Sequence, residues 1–149
     1  MSLQDSNPST ADTNDHATEW LENVTYDELK IGQSARLVRT LTQRDIQAFA
    51  AVSGDINPAH MNPEFAQGTQ FHQVVAHGMW SGALISALFG TQFPGPGTIY
   101  LSQELQFTKP VRVGDTLTVT ATVAEKDDAR HRVIMDCEVT NQSHDIVLK

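Results

Sequence analysis

From Val74 to Gly90 the chain reads VVAHGMWSGALISALFG, with no charged side chain and no polar stripe at helical spacing. A helix that is apolar around its whole circumference belongs inside a core. The run falls short of the ~20 residues a membrane-crossing helix needs. It stops at Gly90, and Pro94-Gly95-Pro96-Gly97 breaks any regular structure that follows. Beyond that break the hydrophobic period changes from 3.6 to 2. Ile99, Leu101, Leu105 and Phe107 alternate with Tyr100, Ser102, Glu104 and Gln106. Leu117, Val119, Ala121 and Val123 alternate with threonines 116, 118, 120 and 122. Val133, Met135, Cys137 and Val139 alternate with Arg132, Asp136, Glu138 and Thr140, Ile134 being the exception. Such alternation predicts half-buried strands of an antiparallel sheet. One apolar helix and four to six such strands imply an α+β architecture, the sheet laying its apolar face on the helix.

The first half of the chain supplies the remaining elements. Ser34–Thr40 predicts a strand. Thr42, with Asp45 three residues on and Ile46, Phe49 and Ala50 at helical spacing, predicts a capped helix that ends near Ser53-Gly54. Asn62-Pro63 predicts the start of another short helix. Residues 1–19 are polar, without apolar periodicity, and carry Asp5, Asp12, Asp15 and Glu19 with no Lys or Arg, so they are expected to be a disordered tail before a domain spanning 20–149. At the other end Ile146–Leu148 reads as a strand just begun, as in a short edge strand or a chain cut from a longer one.

Composition narrows the function. The 149 residues carry 40% hydrophobic side chains, enough for one domain with a real core. Ten Lys and Arg against eighteen Asp and Glu leave a net charge of −8, which argues against a nucleic-acid partner, since phosphates call for a basic face. The single cysteine, Cys137, cannot build a disulfide framework and is expected in the core. The N-terminus shows no basic-then-apolar leader, so the expectation is a cytoplasmic protein with no membrane association.

Chemistry concentrates in two places. Ser53–His60 (SGDINPAH) is a turn in which Asp55 and His60 can converge on one point and hold a water between them. By itself the segment is also an ordinary turn, with Asp and Asn as turn formers and His60 capping the next helix. His77-Gly78 stands at the head of the apolar helix, where a substrate carbonyl could meet the Gly78 N–H. Equally, Gly78 can be a packing glycine and His77 a structural histidine. Ser86 lies two turns further along and could support a site or bond back to its own helix. Asp55, His60, His72 and His77 are metal-ligand types, but their spacing matches no compact motif, and no metal is expected. No Walker-type phosphate loop and no GxSxG elbow occur.

Taken together, FAAVSGDINPAHMNPEFA, VVAHGMWSGALISALFG and PGPGTIYLSQELQFTKPVRVGDTLTV resemble the MaoC-like (R)-specific enoyl-CoA hydratases over about residues 22 to 145. The likeness is greatest to the N-terminal hydratase domain of bifunctional enoyl-CoA hydratase/phosphate acetyltransferases, which implies a phosphate acyltransferase domain in a longer chain. The resemblance implies a hot dog fold, a long helix wrapped by a curved antiparallel sheet, assembled as a homodimer or dimer-based oligomer. It implies hydration of trans-2-enoyl-CoA to (R)-3-hydroxyacyl-CoA, with Asp55 and His60 as the catalytic pair and the Gly78 N–H on the thioester carbonyl. Asn57 and Ser86 would support the site. Met79, Trp80 and Leu84 are candidates to line the acyl pocket and fit the core equally well; Lys109 and Arg112 are candidates to meet the coenzyme A phosphates, though exposed Lys and Arg usually just solvate a surface. No cofactor is implied beyond the coenzyme A of the substrate. Two other functions fit the same residues: an acyl-CoA thioesterase in which Asp55 directs water at the thioester carbon, and a non-catalytic acyl-CoA-binding domain.

Overall fold

The computed structural model describes residues 21–149; the expected tail at 1–19 lies outside them. The elements run β1 (Ser34–Thr40), α1 (Gln43–Ser53), α2 (Pro58–Met61), α3 (Pro63–Gln67), α4 (Gly78–Thr91), β2 (Thr116–Asp127), β3 (Arg132–Thr140) and β4 (Ile146–Leu148). The four strands form one antiparallel sheet in the order β1-β2-β3-β4. Leu117, Val119, Ala121 and Val123 of β2 are all buried, and their threonine neighbours are half-exposed. On this face Trp80, Leu84, Ile85 and Leu88 of α4 join Leu41, Ile46, Val139 and Leu148 in one core. This is the α+β hot dog arrangement, with the sheet curved over its helix. Cys137 is half-buried against that core, and burial, aided by Asp136, pushes its thiol up to about 11. Among the described residues no helix is long and apolar enough to cross a membrane.

Local chemistry explains the short elements. Thr42 Oγ1 accepts from the Asp45 N–H, and Asp45 Oδ2 accepts from the Thr42 N–H at 2.8 Å, so the capping box at the head of α1 is complete. α1 stops where Gly54 takes φ 76°, a left-handed turn that glycine enters without strain. Asn57 and Asn62 cap α2 and α3 through their side-chain oxygens, each followed by proline at the first helical position.

α4 begins at Gly78, with His77 as its cap, where His77-Gly78 was expected to open it. The residues before it are held extended by neighbours: the Val75 N–H donates to the Ala59 carbonyl and the Ala76 N–H to the Val111 carbonyl at 2.8 Å. Two expectations need correction. First, α4 is not buried all round: Met79, Ala83, Ser86 and Gly90 are exposed along one side. Second, 99–107 is not a strand of the sheet. Only its end reaches β4, where Gln106 exchanges backbone hydrogen bonds with Lys149 and Phe107 bridges Leu148. Ile99 and Leu101 stay in the open, at 77% and 63% exposure, while Leu105 packs partly buried against the core. Among the described residues β4 pairs with β3 only near Val139 and Thr140, so no backbone lies between Arg132–Glu138 and the 99–105 segment. An extended chain with nothing to bond is not a strand. A broad concavity of about 1580 Å³ opens between them instead.

Candidate active site

Asp55 and His60 do converge. One ligand-type atom from each of Asp55, His60 and His77 lies within 4.8 Å of the others. The convergence is built from short pieces. Gly54 turns the chain out of α1; the Asp55 N–H donates to Ser53 Oγ at 3.1 Å, and the Asn57 N–H donates to Asp55 Oδ1 at 3.2 Å. Asn57 Oδ1 accepts from the Ala59 N–H at 3.0 Å and starts α2, whose single turn carries His60. Asn57 thus caps the helical turn that carries His60.

The segment just before α4 is the other wall. His60 Nδ1 lies 2.7 Å from the Val75 carbonyl. A carbonyl only accepts, so Nδ1 carries the hydrogen and Nε2 of the neutral ring is free to take a proton. His77 Nε2 lies 2.8 Å from the Asp55 main-chain carbonyl and donates to it by the same logic. The two imidazoles lie against each other, centroids 4.0 Å apart and planes tilted by 35°, and Phe49 lies 4.9 Å from the His77 ring.

His77 is only 2% exposed, and its Nδ1 is buried with no partner among the described residues. An unpaired buried polar atom costs about 1–3 kcal/mol. A phenyl ring would avoid that cost, so the imidazole is kept there for its other nitrogen. The sequence carried one signal of this: a polar side chain inside an uncharged apolar run needs a hydrogen-bond partner.

α4 starts at the next residue. The Gly78 and Met79 N–H groups have no acceptor among the described residues, and the Trp80 N–H is the first that does, on the His77 carbonyl. Free N–H groups and the positive end of a helix 14 residues long give this position donors from which a carbonyl oxygen could accept. Gly78 also has a packing reason to be glycine, since a Cβ there would sit 3.0 Å from the Phe107 ring.

The other residues singled out from the sequence are placed differently. Trp80 and Leu84 belong to the core, while Met79 is exposed beside Gly78. Ser86 lies on the exposed side of α4. His72 is outside the cluster, its Nδ1 3.3 Å from the Gln67 carbonyl. Lys109 pairs with Asp145 at 2.6 Å, and that contact together with Asn141 holds the Asp145 carboxyl below its usual range. Arg112 is exposed in the turn leading to β2, next to Val111, whose carbonyl accepts from the Ala76 N–H. Two concavities, of about 1580 and 420 Å³, contain none of Asp55, His60 and Gly78. Within the cluster Asp55 is exposed, His60 half-buried and His77 buried, and the neighbouring apolar side chains of Val52 and Ile56 are exposed.

The arrangement can hold a water between a carboxylate and an imidazole, opposite hydrogen-bond donors for a carbonyl. Residues 27–145 match the MaoC-like domain family. An (R)-specific enoyl-CoA hydratase of Rhodospirillum rubrum is 52% identical over 98 residues, 66% of this chain and 68% of that one. Among solved structures, the unliganded R-hydratase PhaJ1 of Pseudomonas aeruginosa superposes with a TM-score of 0.81 at 50% identity, covering 86% of this chain and 82% of the other. The Aeromonas caviae (R)-hydratase involved in PHA biosynthesis gives 0.78 at 38% identity, covering 80% and 91%.

Proposed function

The chain belongs to the MaoC-like domain family, and from that premise we propose that it is an (R)-specific enoyl-CoA hydratase working through Asp55, His60 and the head of α4. A trans-2-enoyl-CoA places its thioester oxygen at the Gly78 N–H. The donors there draw electrons toward oxygen and make C3 electrophilic. Water held between Asp55 and His60 adds its oxygen to C3 as the pair takes its proton. The electron pair moves into an enolate whose oxygen the same donors stabilise. Collapse of the enolate takes a proton at C2 from the pair, and (R)-3-hydroxyacyl-CoA results.

No electrons are transferred overall, so the reaction asks for no redox cofactor, and no metal is part of this reading. Coenzyme A enters as part of the substrate, with Lys109 and Arg112 as its basic partners and Met79 on the acyl side. Asn57 and Ser86 support the site. A cytoplasmic location goes with an acyl-CoA substrate.

A second copy of the chain belongs to the same proposal. The 99–107 segment runs along α4 in the opposite direction, Phe107 over Gly78, Leu105 over Gly82 and Tyr100 beside Phe89. It leaves Met79, Ile99 and Leu101 exposed. Surfaces of this kind mark interfaces, and a dimer across it would roof the open site.

The observation that supports the hydratase reading most is the meeting of Asp55 and His60 beside the free N–H groups of α4. Hydration of crotonyl-CoA, followed as loss of the enoyl absorbance with chiral analysis of the product, tests it. Asp55→Asn and His60→Gln should each lower kcat by at least about 100-fold, the low end for a lost acid–base group, with the circular dichroism spectrum unchanged. Near-normal rates in both variants would remove the assigned roles. Release of free thiol would favour a thioesterase, and binding of crotonyl-CoA without turnover a non-catalytic domain.

A further inference from the structure

Asp55 lies on an exposed loop whose backbone contacts are almost all local. The Asp55 N–H bonds two residues back, as does the Ile56 N–H, to the Gly54 carbonyl at 3.0 Å. The hydrogen bond from His77 Nε2 to the Asp55 carbonyl spans 22 residues. Among the described residues it is the long-range polar tie of the 53–57 backbone to the rest of the protein. His60 is tied by its Nδ1 to the Val75 carbonyl, two residues before His77. Gly78 follows His77 directly. One short stretch, Val75–His77 and the first residue of α4, therefore locates all three working parts: the imidazole through Val75, the carboxylate through His77, and the carbonyl-binding amide through Gly78.

We propose that His77 is a positioning residue for the hydration reaction, setting the Asp55 carboxylate relative to His60 and the Gly78 N–H by donating its Nε2 hydrogen to the Asp55 carbonyl. This inference rests on the hydratase reading above. The carboxylate hangs one side chain from the peptide that His77 holds. Rotation of that peptide swings the carboxylate away from the water it shares with His60, while the substrate-binding surface stays as it was. The adjacent His60 ring gives His77 a second hold on the same pair. A structural histidine would be replaceable by any flat ring; a positioning one must keep a donor at Nε2.

Two substitutions separate these cases. His77→Phe keeps a ring for Phe49 and His60 and removes the donor. His77→Gln brings an amide N–H near the place of Nε2. His77→Phe should lower kcat for crotonyl-CoA by about 10–100-fold, the effect of a misplacement of order 1 Å, with KM changed less than about twofold as expected when transition-state interactions alone are lost. His77→Gln should recover most of the rate. A kcat for His77→Phe close to that of the unsubstituted protein overturns the proposal, as does a His77→Gln variant as slow as the phenylalanine one. Should the phenylalanine variant not fold, nitrogen-15 NMR of the unsubstituted protein still decides: the His77 ring must carry its hydrogen on Nε2, and a hydrogen on Nδ1 overturns the assignment. If Asp55→Asn and His60→Gln turn over normally, the hydratase reading itself has failed. If they are inactive while His77→Phe is not, only the role of His77 falls.

Discussion

Thr116–Val123 and Ile99–Phe107 alternate apolar and polar side chains with the same period, and they end in opposite surroundings. The first lies at the centre of the sheet, paired on both sides, with Val119 fully buried against α4. The second touches a neighbouring strand only at its last residues and leaves Ile99 and Leu101 in the open. Alternation thus specifies an extended backbone with one apolar face. It does not specify what will cover that face or bond that backbone. In β2 the cover is intramolecular: α4 on one face, β1 and β3 at the edges. For 99–107 the edge is free, and the apolar side extends the exposed side of α4.

The comparison can be broken most forcefully in β2. Val119→Asp should cost more than about 4 kcal/mol, because it buries a charge with no partner, and should leave no cooperative unfolding transition in denaturant. A modest loss would mean that β2 is not the centre of the core.

A smaller effect calibrates the capped helix that follows β1. Burial raises the Asp45 carboxyl, but hydrogen bonds from Thr42 and the guanidinium of Arg39 outweigh it and hold the group below its ordinary value. The ionised form is then favoured by folding. Its contribution is full above the pKa of the unfolded chain and is lost as pH falls through the lower value of the folded state. Asp45→Asn should cost about 1 kcal/mol near neutral pH, the scale of a helix cap, and progressively less toward pH 3. A cost independent of pH in urea titrations would remove the charge from the account.

The smallest effect on stability belongs to the open segment. Leu101→Lys should change the unfolding free energy at low protein concentration by no more than about 0.5 kcal/mol, as for surface positions generally. Light scattering should nevertheless show a shift from dimer to monomer, and hydration should fall with it. An unchanged oligomer would mean that the face is not where a second copy binds.

Much of the fold was legible because the signals that specify it act over a few residues. The Thr42–Asp45 box, the stop at Gly54 and the Asn62-Pro63 start are contacts within four residues, and all lie where the pattern puts them; the single helical turn after Asn57-Pro58 reads from the pattern only as part of a turn. The Asp55–His60 loop is local in the same sense. What failed to show were relations across long separations. The head of α4 is set by Ala59 and Val111, and the buried place of His77 by a carbonyl 22 residues earlier. No periodicity records such a distance.

The sequence by itself determined which segments are helical or extended, which face of each strand is apolar, and which turn carries the carboxylate and the imidazole, because backbone preference and side-chain spacing are properties of neighbouring residues. Only the tertiary structure decided that His77 reaches Asp55, that α4 leaves one side uncovered, and that 99–107 lacks the neighbour that would make it a strand. Those outcomes depend on which distant groups find one another when water is excluded, and a hydrogen bond or a buried contact exists only once both partners are in place.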